Sequence, residues 1–342
     1  MRLSIFLLLF AHVLAAAPVE DADTEKAVAA LTRLGGVIGR DSAVPTMPVV
    51  RVSLAKSKLT DADLLLLRPL SRLRELDLSS TPLTDDGMPH VAKLTELQDL
   101  NLYATKITDL GLIRLAYLTR LEEINLSRTA VNGPGLEVVK LMPRLRVVRL
   151  AGTTVGDTGL EHLKPCRALL VLDLDQTAVT NAGMAHVKTL ELLTYLNLNE
   201  SRVGDAGLVH LRHLPHLRTL TLKMTRVTDA GMAHLAKTTT LRRLDLSWTD
   251  VGNTGLSHLR ECVNLEELSL GHVPLTDAGL AYLKSLTKLR TLSLNGTRVT
   301  DAGLTHLTGL AELRSLWLQD TAVSSEGIER LRKALPELKV TR

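Results

Sequence analysis

The sequence predicts an α/β solenoid, a stack of near-identical rungs that each hold one short strand and one short helix. Three observations carry the prediction. A glycine recurs every 24 residues, at Gly87, Gly111, Gly135, Gly159, Gly183, Gly207, Gly231, Gly255, Gly279, Gly303 and Gly327. Each stands in a unit that opens on the pattern Leu-x-x-Leu-x-Leu, with Ile124 or Val148 for the middle leucine in two units, and the unit starts run from Leu73 to Leu313 without an insertion. Finally, a lone unit cannot fold. About seven apolar side chains at roughly 1.5–3 kcal/mol each are set against roughly 1–2 kcal/mol of backbone entropy for every residue ordered. Stacking supplies the missing burial, so the 342 residues form a quasi-one-dimensional array rather than one ordinary core.

Residues 1–17, MRLSIFLLLFAHVLAAA, combine Arg2, an apolar run from Leu3 to Leu14 and small residues at Ala15–Ala17. This is the plan of a secretory signal peptide and is too short for a comfortable membrane span. Residues 18–48 read as an amino-terminal cap, with a helix from Ala22 to Leu34, a stop at Gly35-Gly36 and an edge strand over Val37–Arg40. Twelve repeats then occupy residues 49–336. The first is a weaker copy carried by Val49, Val52, Leu54, Leu59 and Leu70.

Within the unit that starts at Leu289, the alternation Leu292-Ser293-Leu294 predicts a strand with one buried face, and Leu304, Leu307 and Leu310 predict a helical stripe. The ninth residue is usually threonine, as at Thr81, Thr105 and Thr297. Its hydroxyl suits backbone groups left unpaired where the chain turns inward. Thr300-Asp301 and its copies suit a helix start. The glycine costs about 1 kcal/mol relative to alanine in a helix. It therefore marks either a close approach of adjacent rungs or a backbone conformation that other residues resist. Residues 337–342 break the period and read as a closing strand.

Cys166 and Cys262 occupy equivalent positions four repeats apart, replacing a leucine. At about 4.8 Å per stacked strand they lie roughly 19 Å apart, beyond the ~7 Å that a disulfide tolerates between Cα atoms. Two buried free thiols are expected.

These residues resemble the leucine-rich repeat family over about residues 49–342. The form Leu-x-x-Leu-x-Leu-x-x-Thr-x-Val-Thr-Asp-x-Gly-Leu-x-x-Leu is most like repeats of exported bacterial leucine-rich proteins. It is also similar to the cysteine-containing subclass of F-box leucine-rich proteins. The resemblance implies a curved, right-handed solenoid with a parallel sheet on the concave face, short helices on the convex face, and a role in binding other macromolecules. It departs from most members in carrying threonine where they carry asparagine.

A formal net charge of +4 without a like-charge run argues against nucleic acid as a partner. No nucleophile with a base, phosphate loop or metal constellation stands apart from the repeat, so neither an enzyme nor a cofactor is expected. The histidine column His162, His186, His210, His234, His258 and His306 flanks the apolar stripe and reads as a product of duplication rather than a metal site. The sequons at Asn125, Asn199 and Asn295 are what a repeat of this composition generates. The second, third, fifth, seventh and eighth residues of each unit should face solvent, and there the sequence is free to vary. They hold Tyr103, Tyr195, Trp248 and Trp317, residue types that anchor interfaces. The same face carries Arg128, Arg149, Asp173, Asp175, Lys223, Arg243 and Asp245, with an acidic group (Glu75, Asp77, Asp99, Glu122, Glu123) over the first rungs. The expected function is a secreted, non-enzymatic protein that binds a protein or peptide across this face, centred between Arg218 and Trp248. Recognition of a cell-envelope polysaccharide is one alternative. The other, by resemblance, is a substrate-recognition module like those of F-box ubiquitin ligases.

Overall fold

A computed structural model describes residues 22–342. The proposed signal peptide and residues 18–21 of the cap lie outside the described residues. Helix α1 (Ala22–Arg33) is followed by β1 (Val37–Arg40), which pairs antiparallel with β2 (Val49–Ser53). Twelve three-residue strands follow: β3 (Glu75–Asp77), β4 (Asp99–Asn101), β5 (Glu123–Asn125), β6 (Val147–Arg149), β7 (Val171–Asp173), β8 (Tyr195–Asn197), β9 (Thr219–Thr221), β10 (Arg243–Asp245), β11 (Glu267–Ser269), β12 (Thr291–Ser293), β13 (Ser315–Trp317) and β14 (Lys339–Thr341). They stack in chain order into one sheet of fourteen strands, parallel from β2 onward. Every parallel pair joins residues 24 apart, as in Leu76↔Leu100. The register has one solution, because a slip of one residue would turn every buried leucine to water. The sheet is the concave wall of the solenoid and the short helices form its convex side.

Much of the helical side is tighter than a plain α-helix, although Asn181–Val187, Asp229–Leu235 and Ser325–Ala334 are α-helical. A single α turn such as Asp277–Leu280 runs into a 3₁₀ segment, Ala281–Ser285, and Asp61–Leu67 and Pro134–Leu141 are 3₁₀ throughout. The spacing of the apolar stripe suits the tighter turn. Leu304, Leu307 and Leu310 are all buried and stand three residues apart. A 3₁₀ helix has three residues per turn and sets them in line, whereas an α-helix would swing them progressively off the core.

The recurrent glycine is explained by a clasp between rungs. Asp277 accepts hydrogen bonds from the Thr300 N–H (2.7 Å) and the Thr300 hydroxyl (2.6 Å) of the following rung. Asp61 with Thr84, Asp85 with Thr108, Asp157 with Thr180, Asp205 with Thr228 and Asp301 with Ser324 repeat the arrangement. The carboxylate comes to rest where a side chain on the next rung's glycine would be. A Cβ on Gly255 would lie 2.5 Å from Asp229 Oδ1, and one on Gly303 would overlap Asp277 Oδ1. Close approach is therefore the cause, since these glycines have ordinary backbone angles. Threonine also caps its own helix, as Thr300 Oγ1 accepts the Ala302 N–H at 3.3 Å. The aspartate, expected to serve its own helix, is spent on its neighbour.

The ninth-position threonines bond inside their own rung. Thr297 Oγ1 donates to the Leu294 carbonyl at 2.6 Å, and Thr81, Thr153 and Thr249 do likewise three residues back. Cys166 and Cys262 are buried free thiols, and burial pushes each up to about 11.

Candidate functional site on the concave sheet

Position eight of each rung, just past the strand, has left-handed backbone from Lys56 to Asp320, with φ between 52° and 67°. The turn aims the ninth residue inward while the eighth N–H still bonds the next rung, as Trp248 N–H does to the Gly271 carbonyl at 2.8 Å. Left-handed geometry costs an L-residue roughly 1–2 kcal/mol, and glycine avoids this cost at Gly152 and Gly296. Bulky side chains at such positions are the ones that call for an explanation. Trp248 (φ 59°) is 52% exposed, and Met224 (φ 54°), one rung before it, is 50% exposed. The indole stacks on the ring of His272 with centroids 3.9 Å apart. His272 in turn lies against Gly296, where a Cβ would meet its ring. Met224, Trp248, His272 and Gly296 therefore make a continuous ridge whose rings lean along the stack.

The other candidate residues lie on the same wall but apart from this ridge. Tyr195 and Trp317 sit within β8 and β13, half-buried among the strand residues. Tyr103, six rungs before Trp248, lies under the Arg128 guanidinium at 5.7 Å. The four aromatics do not converge on one spot. Lys223 is beside Met224 and half-exposed; its N–H is held by Asn199 Oδ1 at 2.8 Å. Arg243 pairs with Glu267 of the next rung at 2.9 Å, while its sequence neighbour Asp245 accepts the Ser247 N–H. Adjacent rungs bring equivalent positions to about 4.8 Å, closer than residues two apart along one strand. Arg149 likewise reaches back to Glu123 at 3.3 Å rather than forward to Asp173. Asp173 accepts the Asp175 N–H, and burial is the main cause holding both carboxyls above their usual range.

Sequence reasoning passed over a cleft at the amino-terminal end of the wall. It has a volume of about 330 Å³ and is floored by β2 to β6, with Arg51, Glu75, Asp99, Glu123 and Arg149 around it. Arg51, left out of the sequence-based set, forms a two-pronged pair with Glu75. Reading the third position of each unit down the stack, Arg51-Glu75-Asp99-Glu123, would have revealed this column. Asp99 stands between Glu75 and Glu123 with no Lys, Arg or His nitrogen within bonding reach among the described residues. Burial, then the charges of Glu123, Glu75 and Glu122, push its carboxyl up to about 6. Among the described residues no three His, Cys, Asp or Glu side chains gather to hold a metal, and no helix is long and apolar enough to cross a membrane.

The family model described as Leucine Rich repeat matches residues 71–88, 237–259 and 285–307. No curated protein matches the sequence. Among solved structures, the internalin inlF of Listeria monocytogenes is similar at a TM-score of 0.70 with 19% identity, over 96% of this chain and 98% of that one. The mouse RP105/MD-1 complex gives a TM-score of 0.62 with 20% identity, covering 79% of this chain and 47% of that one. PEPR1-AtPEP1 gives 0.56 with 19% identity, over 88% and 42%. At these identities the structures speak to the fold, and the repeat motif agrees with them. The three matched segments are leucine-rich repeats, and the chain as a whole has the fold of a leucine-rich-repeat solenoid.

Proposed function

We propose that the protein is an exported, non-enzymatic binding protein that holds a polypeptide partner against its concave sheet. The observation that carries this reading is Trp248: a large aromatic side chain, half out in solvent, at a backbone position where it costs the fold energy. A residue that burdens the frame and is displayed to solvent is explained by what it contacts from outside. Two neighbours of this fold were solved with partners, PEPR1 with AtPEP1 and RP105 with MD-1, which supports a binding role here. Export rests on the composition of residues 1–17.

The test is a crosslinking pull-down from envelope and extracellular fractions, comparing the mature chain with Trp248→Gly. Glycine suits the left-handed position, so the variant should be as stable as the parent or gain about 0.5–1 kcal/mol. It should nonetheless lose the captured polypeptide. An unchanged partner list would move the interface off this ridge, and the exposed Leu110, Ile113 and Tyr117 of the convex side would be the next place to test. Binding to a glycan array with no polypeptide captured would replace the reading with polysaccharide recognition.

A further inference from the structure

The chain's two tryptophans stand at the two ends of one lane on the concave wall. Trp248 belongs to the unit starting at Leu241 and Trp317 to the one starting at Leu313, three rungs on. Between them the fifth and seventh positions hold Ser247, Ser269, Gly271, Ser293 and Asn295. One side of this lane is walled by the stacked rings of Trp248 and His272, the other by Arg243 and Glu267, which satisfy each other's charge. The small floor is not a demand of the frame. Gly271 has ordinary backbone angles, and a Cβ there would meet nothing closer than Ser247 Oγ at 3.5 Å, unlike the overlap at Gly303. The fifth position also accepts a large ring, since Trp317 occupies it in β13. The floor hydroxyls are unpaired as well. On the same face Ser53 donates to Asp77 and Thr221 to Asn197, whereas Ser247, Ser269 and Ser293 have no hydroxyl partner among the described residues. At the near end Lys223 and Asp245 offset each other from adjacent rungs. At the far end the exposed carboxylate of Asp320 makes no ion pair among the described residues, Arg298 of the preceding rung included.

We propose that this lane holds an extended segment of the polypeptide partner that carries two large apolar side chains four residues apart, a small residue midway between them, and a basic residue beside the one that meets Trp317. The proposal rests on the polypeptide-binding reading above and names the chemistry of the partner. Three rungs at about 4.8 Å per strand set the tryptophans about 14 Å apart along the stack, and four residues of extended chain span about 13 Å. In an extended segment residues i, i+2 and i+4 face the same way. The first and last therefore reach Trp248 and Trp317 together, while the middle one lies over Ser269 and Gly271. A small side chain there lets the backbone settle close enough for its amide groups to bond the serine hydroxyls. Trp248 is held in place by His272, so little side-chain freedom is lost when the first apolar residue docks. Asp320 receives the basic residue, the charge that the far end lacks.

The probes are two N-acetylated, C-amidated hexapeptides, Phe-Thr-Ala-Thr-Phe-Lys and Lys-Phe-Thr-Ala-Thr-Phe, one for each direction in which the segment can run. Each has a control of the same composition with the phenylalanines three apart, Phe-Thr-Ala-Phe-Thr-Lys and Lys-Phe-Thr-Ala-Phe-Thr. They are titrated at low ionic strength into the full mature chain, whose tryptophan fluorescence comes from Trp248 and Trp317 alone. One probe should give a saturable change and bind at least about tenfold more tightly than its control, because a spacing of three turns one ring away from the sheet. Ser269→Phe fills the floor at a position where the frame accepts a ring, so it should abolish binding and leave thermal melting unchanged. Asp320→Asn should weaken the probe about threefold to tenfold and remove its salt dependence. Equal binding of probe and control in both directions, no saturable change, or an unaffected Ser269→Phe variant would each overturn the proposal. An unaffected Asp320→Asn variant would strike the basic residue from it. In the pull-down, Ser269→Phe should lose the captured polypeptide just as Trp248→Gly does. Loss in Trp248→Gly with capture kept in Ser269→Phe would sink the lane alone, and capture kept in both would sink the concave reading with it.

Discussion

The start of the helix and the outer face of the strand belong to the same 24-residue unit but are built on opposite terms. At the helix start nearly every rung repeats aspartate or asparagine, a residue whose N–H reaches it, and glycine, and each polar group is bonded to the next rung. At the third, fifth and eighth positions of the strand side, chemistry changes from rung to rung. Glu75, Tyr195 and Arg243 occupy one column, and Ser80, Arg128, Met224 and Trp248 another. A position that must contact its own copies above and below admits only one solution. A position that meets solvent is open to any residue the frame tolerates, and even to some, such as Trp248, that it tolerates at a cost.

The sharpest way to break the comparison is to add one methyl group on the frame. Gly303→Ala would drive a Cβ onto Asp277 Oδ1, and overpacking plus a displaced clasp should cost about 2–4 kcal/mol in chemical denaturation. Gly309→Ala, with open space around the new Cβ, should be nearly neutral in the same assay. A gain in Gly303→Ala would mean that helix propensity, which favours alanine, outweighs close approach, and a comparable loss in both would mean that the space around the new Cβ does not decide the outcome.

Removing the carboxylate instead should cost about 2–3 kcal/mol, because Asp277→Ala leaves the Thr300 N–H and hydroxyl without their acceptor. It also vacates the space that Gly303 protects. The double variant Asp277→Ala with Gly303→Ala should therefore be less destabilised than the sum of the two single variants, by about 1–2 kcal/mol. Strict additivity in that cycle would show that the glycine and the aspartate are not answering to each other.

On the outer face the signs reverse. Trp248→Gly is expected to hold or raise stability while losing the partner, the opposite of any change on the frame. Asp99→Asn gives the smallest effect and the clearest pH signature. Its folded carboxyl is raised to about 6, so the folded state holds this proton more tightly than the unfolded chain, and ionisation of Asp99 weakens the fold as pH rises toward and through 6. Asparagine removes that penalty. The variant should be more stable than the parent at pH 7.5, by about 1 kcal/mol or less once exposure to solvent and salt is allowed for. The advantage should fade as pH falls from 6 toward 4. A stability difference unchanged across that window would show that Asp99 is not the group titrating.

The sequence by itself determined the period, the strand at Leu292-Ser293-Leu294, the buried leucine stripe and the two buried thiols. Each depends on residues close in the chain, or on one pattern copied until chance is excluded. The three-residue spacing of Leu304, Leu307 and Leu310 even contained the 3₁₀ geometry. The outward face was legible as a set of positions, although Ser127, Val147 and Asn197 at those positions are buried, and the grouping of its residues was not legible. Only stacking decided that Asp277 belongs to Thr300 of the next rung, that Arg243 answers Glu267 instead of Asp245, that Arg51 joins Glu75, and that Asp99 is left between two satisfied pairs. These partners are 23 to 26 residues apart in the chain and about one strand spacing apart in space. A periodic sequence shows which residues recur, whereas the direction in which each side chain leans along the stack is settled when one rung is laid on another.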